Sequence, residues 1–390
     1  MERERSGKKL VVVQRVGEWL PVQMNWLYSE LAYLPGGIRS VVACNEAMNL
    51  ERFSVGPVSC LSRERRRWQL GPGPVRRWRG RRWLEEVCRA AGAGVLHSHF
   101  GFMGWEGMPV ARRLGLRHVV TFYGMDVNHF PQADSQWLGR YGELFGEVDA
   151  VLCEGPHMGR CIVELGCPAE KVRVHHLGVR VEEIEYRPRR WRPGEALRVL
   201  IAASFREKKG IPYAVEALGR LAATGVEVEL TIIGDALPGV QSVREKERIL
   251  AAVAASGLER VRMPGVLGYE AMMGEAYGHH VYMAASVTAA DGDTEGGAPV
   301  AILDMAASGM PVVGTRHCDI PELVEDGVSG LLAEERDVEG LAERLRWLVE
   351  HPQAWEAMAA AGRRRVEEQF DARRQGERLG EVYWGLGVRG

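Results

Sequence analysis

Asp293, Glu295 and Asp304 bracket a Gly296-Gly297-Ala298-Pro299 run, followed by Ser308-Gly309-Met310 and the apolar Pro311-Val312-Val313. Glycines let a backbone approach a ligand closely and Pro299 suits a first helical turn, so unpaired N–H groups there would form an anion site. Asp304 would lie about a turn and a half into the helix, at roughly 3.6 residues per turn. One element could thus hold a phosphate and a hydroxyl-bearing group together. A plain loop with acids at a solvated helix start is the alternative.

A second constellation is Ser204-Phe205-Arg206-Glu207-Lys208-Lys209-Gly210, between a strand and a helix. Loops at the carboxyl ends of strands are where open α/β sheets bind ligands. Lys209 offers a point charge for a diphosphate and Arg206 a fork; a basic helix start is the plainer reading. His97-Ser98-His99-Phe100-Gly101 and Thr121-Phe122-Tyr123-Gly124-Met125-Asp126 end two earlier strands. The two histidines are taken to face opposite sides of their strand, so that His99 alone enters the site. Tyr123, with an ordinary pKa near 10, is a poor base at neutral pH. Asp126 is a further polar candidate, with turn capping as its alternative.

These residues need a frame. The 390 residues are 46% hydrophobic, enough for two domains. Short apolar runs alternating with helical patterns indicate parallel α/β sheets. The first series is Leu10–Val13, Ile38–Ala43, Val95–His97, His118–Phe122, Ala150–Cys153 and Val172–His175. The second is Arg198–Ala203, Glu227–Ile233, Val261–Met263, Val281–Ala284, Pro311–Gly314 and Gly330–Leu332. Between them the Pro- and Arg-rich run suggests a linker over 181–196, separating a domain of 1–180 from one of 197–372. Net charge of −2 argues against a surface that coats nucleic acid. Seven scattered cysteines without a C-x-x-C pair suit free buried thiols in a reducing compartment. No run reaches the roughly 20 apolar residues of a membrane span, so a cytoplasmic protein, soluble or peripheral on the inner face of the membrane, is expected.

The Asp293–Val313 run resembles the Glu-Gly-x-Pro…Glu-Ala-x-Ala-x-Gly-x-Pro-Val-Val signature of retaining glycosyltransferases of family 4, closest in flavour to exopolysaccharide and colanic-acid-type enzymes. The resemblance implies the GT-B fold, two Rossmann-like domains facing across a cleft, with a helix over 373–390 crossing back to the first domain. It implies a nucleotide diphosphate sugar as donor and a glycan or lipid-linked acceptor, with no cofactor or metal; no Asp-x-Asp pattern is read as a metal site. Glu295 would contact the donor sugar, Gly296, Gly297 and Ala298 its phosphate, and Asp304 the ribose. The second acid is Asp where the family usually has Glu, and Ala298 reads as an insertion that sets the acids nine apart. Lys209 matches the lysine of the family's Arg-x-x-x-x-Lys-Gly pattern; Ser204 stands where its arginine would be and Arg206 could replace that charge. Tyr123 stands where the family has a histidine beside the reacting sugar. Gly17, Gly234 and Gly265 fall in loops that the resemblance places around the donor. A non-catalytic nucleotide-sugar-binding or scaffold protein, or a GT-B epimerase, would share these features.

The segment Arg63–Trp83 is least like the family. Its arginines, among them Arg66, Arg77 and Arg81, alternate with Trp68, Trp78 and Trp83. Arg with Trp suits an anionic membrane surface, at about 1 kcal/mol per basic residue, from which a lipid-linked acceptor could be reached. A solvated basic loop, and more remotely a site for single-stranded nucleic acid, are the other readings.

Overall fold

A computed structural model describes residues 9–20, 25–51, 53, 56–64 and 73–387. The chain divides into two compact units: residues 1–178 with 372–390, and residues 179–371.

The first unit is built on seven parallel strands, β1 (Leu10–Trp19), β2 (Ile38–Ala47), β3 (Val58–Cys60), β4 (Val95–His99), β5 (Arg117–Thr121), β6 (Ala150–Cys153) and β7 (Val172–Val174). Their spatial order is β3-β2-β1-β4-β5-β6-β7. All of β4 and β6 is buried, as expected when helices cover both faces of a parallel sheet and the strands become continuous apolar runs. The helix Ala372–Gly385 belongs to this unit. Its Leu379 and Tyr383 pack with Leu10, Val12, Val95, Val119 and Leu152 under the sheet.

The second unit repeats the plan with β8 (Leu197–Ala202), β9 (Val228–Ile233), β10 (Arg260–Gly265), β11 (Val281–Ala284), β12 (Val312–Thr315) and β13 (Leu331–Ala333), ordered β10-β9-β8-β11-β12-β13. The helix Ile211–Ala222 shows how sequence shapes the packing. Pro212 opens it, and Ile211, Ala214, Val215, Leu218 and Leu221 recur at helical spacing and are all buried.

The run 181–196, expected as a linker, is packed into the second unit. Val181 and Ile184 join one of its apolar clusters and Trp191 another. Arg189 is buried, its guanidinium bonded to Ser308 O (2.8 Å), Ser308 Oγ (3.1 Å), His279 O (3.1 Å) and Ala276 O (3.2 Å). Proline and arginine look like linker chemistry in a sequence, yet here the arginine satisfies buried carbonyls. Chain entry and exit lie side by side, because the Val179 N–H donates to Phe370 O (2.9 Å).

Candidate functional site

In the second unit the two constellations come together. The Lys209 ammonium lies 2.7 Å from Glu295 Oε2, and Ser286 Oγ donates to Glu295 Oε1 at 2.7 Å. Burial alone would raise the Glu295 carboxyl; the ammoniums of Lys209 and Lys208 and the two side-chain hydrogen bonds outweigh it and hold the group at about 2. Glu295 is therefore a fixed carboxylate.

Arg206 pairs with Asp293 (2.6 Å), so the charge considered as a substitute for the missing arginine is met by protein. Lys208, passed over in the sequence, completes the cluster: its buried ammonium meets Asp293 Oδ1 (3.2 Å) and Thr294 O (2.6 Å). Asp291-Gly292-Asp293 is an Asp-x-Asp pattern that the sequence reading missed. Its second acid is occupied by these two cations, and Asp291 Oδ1 accepts the Asp293 N–H (3.0 Å). Among the described residues no three His, Cys, Asp or Glu side chains are gathered to hold a metal ion.

The glycine loop behaves in part as expected. The helix runs over Val300–Ala307 with Pro299 just before it. The Gly296 N–H is taken by Thr294 Oγ1 (3.0 Å), while no hydrogen bond to another described residue occupies the N–H groups of Gly297 or Ala298. Those two, rather than the two glycines, are the open donors. Asp304 is buried in the helix and accepts from Tyr269 Oη (3.0 Å). Burial raises its carboxyl to about 7, against the lowering effects of the Tyr269 bond and the Arg180 charge.

A pair that sequence reading missed steadies the loop. The Glu295 N–H donates to His317 Nε2 (3.1 Å), which must then be unprotonated, and His317 Nδ1 donates to Glu335 Oε1 (2.6 Å). The neighbouring Cys318 holds a left-handed backbone, φ 47°. A buried histidine after a strand was the available signal, but its partners lie 22 and 18 residues away.

Gly210 and Gly234 are obligatory. With φ of 60° and 138°, a Cβ at either would sit 1.7 Å from Ala285 O or 1.9 Å from Ala203 O respectively. The Gly234 N–H donates to Gly265 O (2.9 Å), and the Arg206 N–H donates to Ser204 O (2.9 Å), so the loops ending β8, β9 and β10 are tied locally.

The first unit gathers His99, Tyr123 and Asp126. His97 and His99 point to the same side of β4, with ring centroids 4.3 Å apart, because residues two apart on a strand share a face. The expectation of opposite faces was mistaken. Gln14 Oε1 only accepts, so His99 Nε2 carries the proton towards it (3.0 Å) and Nδ1 accepts from Tyr123 Oη (2.6 Å). Burial, then the charge of His175, push His99 down to about 3. His99 is a neutral holder of Tyr123. Gln14 Nε2 continues the chain to Tyr383 Oη (3.2 Å), which meets His97 Nδ1 (2.6 Å). Beyond Tyr123 lies Glu30 Oε2 (3.5 Å), a carboxyl raised to about 8 by burial, with the Tyr123 contact opposing. Asp126 caps its turn, accepting the N–H of Gly101 (2.7 Å) and of Tyr123 (3.0 Å).

Two sequence assignments change. Gly17 lies within β1, not in a loop after it. Trp83 is 1% exposed and donates to Glu64 (3.2 Å), so it is part of the core rather than of a membrane surface. Arg66 and Trp68, like Pro21 to Gln23 after β1, lie outside the described residues. Trp78 is 60% exposed.

Two nucleotide-binding-type α/β units, with charged loops at the carboxyl ends of their strands, define a GT-B protein. Residues 196–351 match the model described as Glycosyl transferases group 1, and residues 32–183 the model of Glycosyltransferase Family 4. WcaL of Salmonella typhimurium, a glycosyltransferase named for colanic acid biosynthesis, is 32% identical over 295 residues, 73% of this chain and 69% of that one. The amylovoran biosynthesis glycosyltransferase AmsK of Erwinia amylovora is 31% identical over 74% and 70%. The crystal structure of Anabaena Alr3699/HepE in complex with UDP is 17% identical, covers 97% of this chain and 100% of that one, and superposes with a TM-score of 0.76. The chain belongs to glycosyltransferase family 4 and is an enzyme of that class.

Proposed function

We propose that the enzyme transfers a sugar from a nucleotide diphosphate sugar to a glycan or lipid-linked acceptor in exopolysaccharide assembly, with retention of anomeric configuration. The carrying observation is the second unit's arrangement: Lys209 on a fixed Glu295 carboxylate, beside the open N–H groups of Gly297 and Ala298 at a helix start. The names of WcaL and AmsK, and the UDP in the HepE structure, support this reading.

Lys209 and the loop amides would neutralise the leaving diphosphate, Glu295 would hold the donor sugar and Asp304 the ribose, so that catalysis rests on positioning and electrostatics. The bond from the anomeric carbon to the donor phosphate breaks while the acceptor oxygen bonds on the same face. The acceptor proton passes to the departing phosphate oxygen. No protein base is needed, and His99, pushed down to about 3 by burial and bonded at both ring nitrogens, would be a poor one. No metal enters this scheme. The exposed Arg76, Arg77, Arg82 and Trp78 would hold the enzyme peripherally on the inner face of an anionic membrane.

A panel of nucleotide sugars, scored by thermal shift and then by nucleoside diphosphate release with NMR of the product anomer, tests the proposal. Stabilisation by one nucleotide sugar and an unchanged anomer are expected. Inversion, or release by none of the panel, would overturn it.

A further inference from the structure

The helix Gly73–Ala91 presents Gly73, Arg76, Arg77, Gly80, Arg81 and Leu84 at spacings of three and four, one helical face. That face walls a cavity of about 460 Å³ within the first unit, closed opposite by Arg15, Asn45 and Glu46 towards the carboxyl ends of β1 and β2, and by Glu106. No Cβ occupies the wall at Gly73 or Gly80, and one built there would meet nothing within 4 Å.

The charges in the cavity are unbalanced. Arg15 is 6% exposed, and among the described residues its guanidinium donates to neutral acceptors: Val16 O (2.7 Å), Ala43 O (3.2 Å) and Asn45 Oδ1 (2.7 Å). Arg81 donates to a backbone oxygen, Glu106 O (3.3 Å), and stacks over Trp105. Among the described residues none of Arg15, Arg76, Arg77 or Arg81 forms an ion pair. Four guanidiniums against the carboxylates of Glu46 and Glu106 leave an excess of positive charge. Glu106 acts through space on both Arg15 and Arg81, so one carboxylate is shared between two guanidiniums, and forked guanidiniums match phosphate oxygens two at a time.

We infer that this cavity binds a diphosphate or phosphate ester, with Arg15 at its floor and Arg76, Arg77 and Arg81 along its wall. Resting on the reading of the enzyme as a glycosyltransferase with a lipid-linked acceptor, the site would take the acceptor's diphosphate. A phospholipid headgroup offers the same chemistry from a different source.

Calorimetric titration of the full chain with inorganic pyrophosphate tests the site. Two binding events are expected, one lost in Lys209→Ala and the other weakened at least tenfold in the exposed pair Arg76→Gln/Arg77→Gln. Arg15→Lys, which keeps the charge and drops the fork, should weaken the second event without requiring an uncharged side chain in the core. Farnesyl diphosphate and phosphatidylglycerol vesicles separate the sources, and the former is expected to compete with pyrophosphate for the second event. Unchanged pyrophosphate binding in the Arg76/Arg77 variant would overturn the proposal. So would loss of vesicle binding in the Arg76/Arg77 variant with full farnesyl diphosphate affinity kept. Failure of donor turnover in the wild type would instead indict the transferase reading, since the second event is read without any donor.

Discussion

At the scale of single residues, the geometry separates groups that act on a donor from groups that hold them. Lys209→Ala should lower kcat by roughly 10²- to 10³-fold, the range for removing one donor to developing charge. Lys208 still faces Glu295 electrostatically in that variant, so the fold should survive; steady-state kinetics with an unchanged circular dichroism spectrum is the check. Asp304→Asn should weaken nucleotide affinity by about 1.5–3 kcal/mol if a charge-assisted bond to the ribose is lost, and a 2′,3′-dideoxy nucleotide should bind the wild type no better than the parent nucleotide binds the variant. His317 offers a sharper test. Its Nε2 accepts the Glu295 N–H, so His317→Gln, whose amide oxygen can accept the same bond, should keep most of the activity. His317→Ala should lose kcat at every pH. Glu30 works through stability. Its folded pKa of about 8 lies above the ordinary carboxyl value of 4.5 that it takes when unfolded, so its contribution is fully present below 4.5 and is lost as pH rises through about 8. Glu30→Gln should therefore melt close to wild type in mild acid and above it in mild alkali, on either side of that window.

At the scale of elements, the glycine-ended loops are the sensitive points. Gly210→Ala places a side chain in the left-handed region, which costs about 1–2 kcal/mol before the clash with Ala285 O is counted. Thermal unfolding should show a fall larger than that, together with weaker nucleotide binding, because Lys209 is the preceding residue. The elements were also what the sequence showed best. β-branched pairs such as Val119-Val120 and Val312-Val313 have no polar partner between them because both sides of a parallel strand are covered. β3 escapes a sequence reading because Val58-Ser59-Cys60 is three residues long and carries a serine. β1 runs past Val13, where Gln14 and Arg15 look like a strand end, because both are buried and bonded within the unit. In the basic helix, alternating Arg and Trp read as a surface stripe; the 3.6-residue period instead turns Trp83, Leu84, Val87 and Cys88 inward. The glycine loop and its acids were legible because they are contiguous. The partners of His317, and the Glu30–Tyr123–His99–Gln14 chain, were not, since they join residues from separate strands and helices.

At the scale of the whole molecule, the second unit is one continuous segment and the first is assembled from two. A fragment of residues 179–371 should fold and bind nucleotide alone, as judged by cooperative melting and a nucleotide-induced shift. A fragment ending at residue 178 lacks the helix 372–385 and leaves the sheet residues Leu10, Val12, Val95 and Val119 without Leu379 and Tyr383. It should be insoluble or bind hydrophobic dyes, and adding the 372–390 peptide should rescue it in part. Full stability of the 1–178 fragment would show that the helix is an accessory.

This arrangement sets an order on synthesis. The strands of the first unit leave the ribosome before the second unit is begun, yet the helix that covers one of their faces follows only after the whole of residues 179–371. At typical elongation rates of about 5–20 residues per second, those apolar faces wait on the order of 10 to 40 s for their cover. The second unit, made later, can finish folding first. Faster translation of codons 179–371 should therefore raise the soluble yield of the enzyme, and a stall within them should send nascent chains to chaperones.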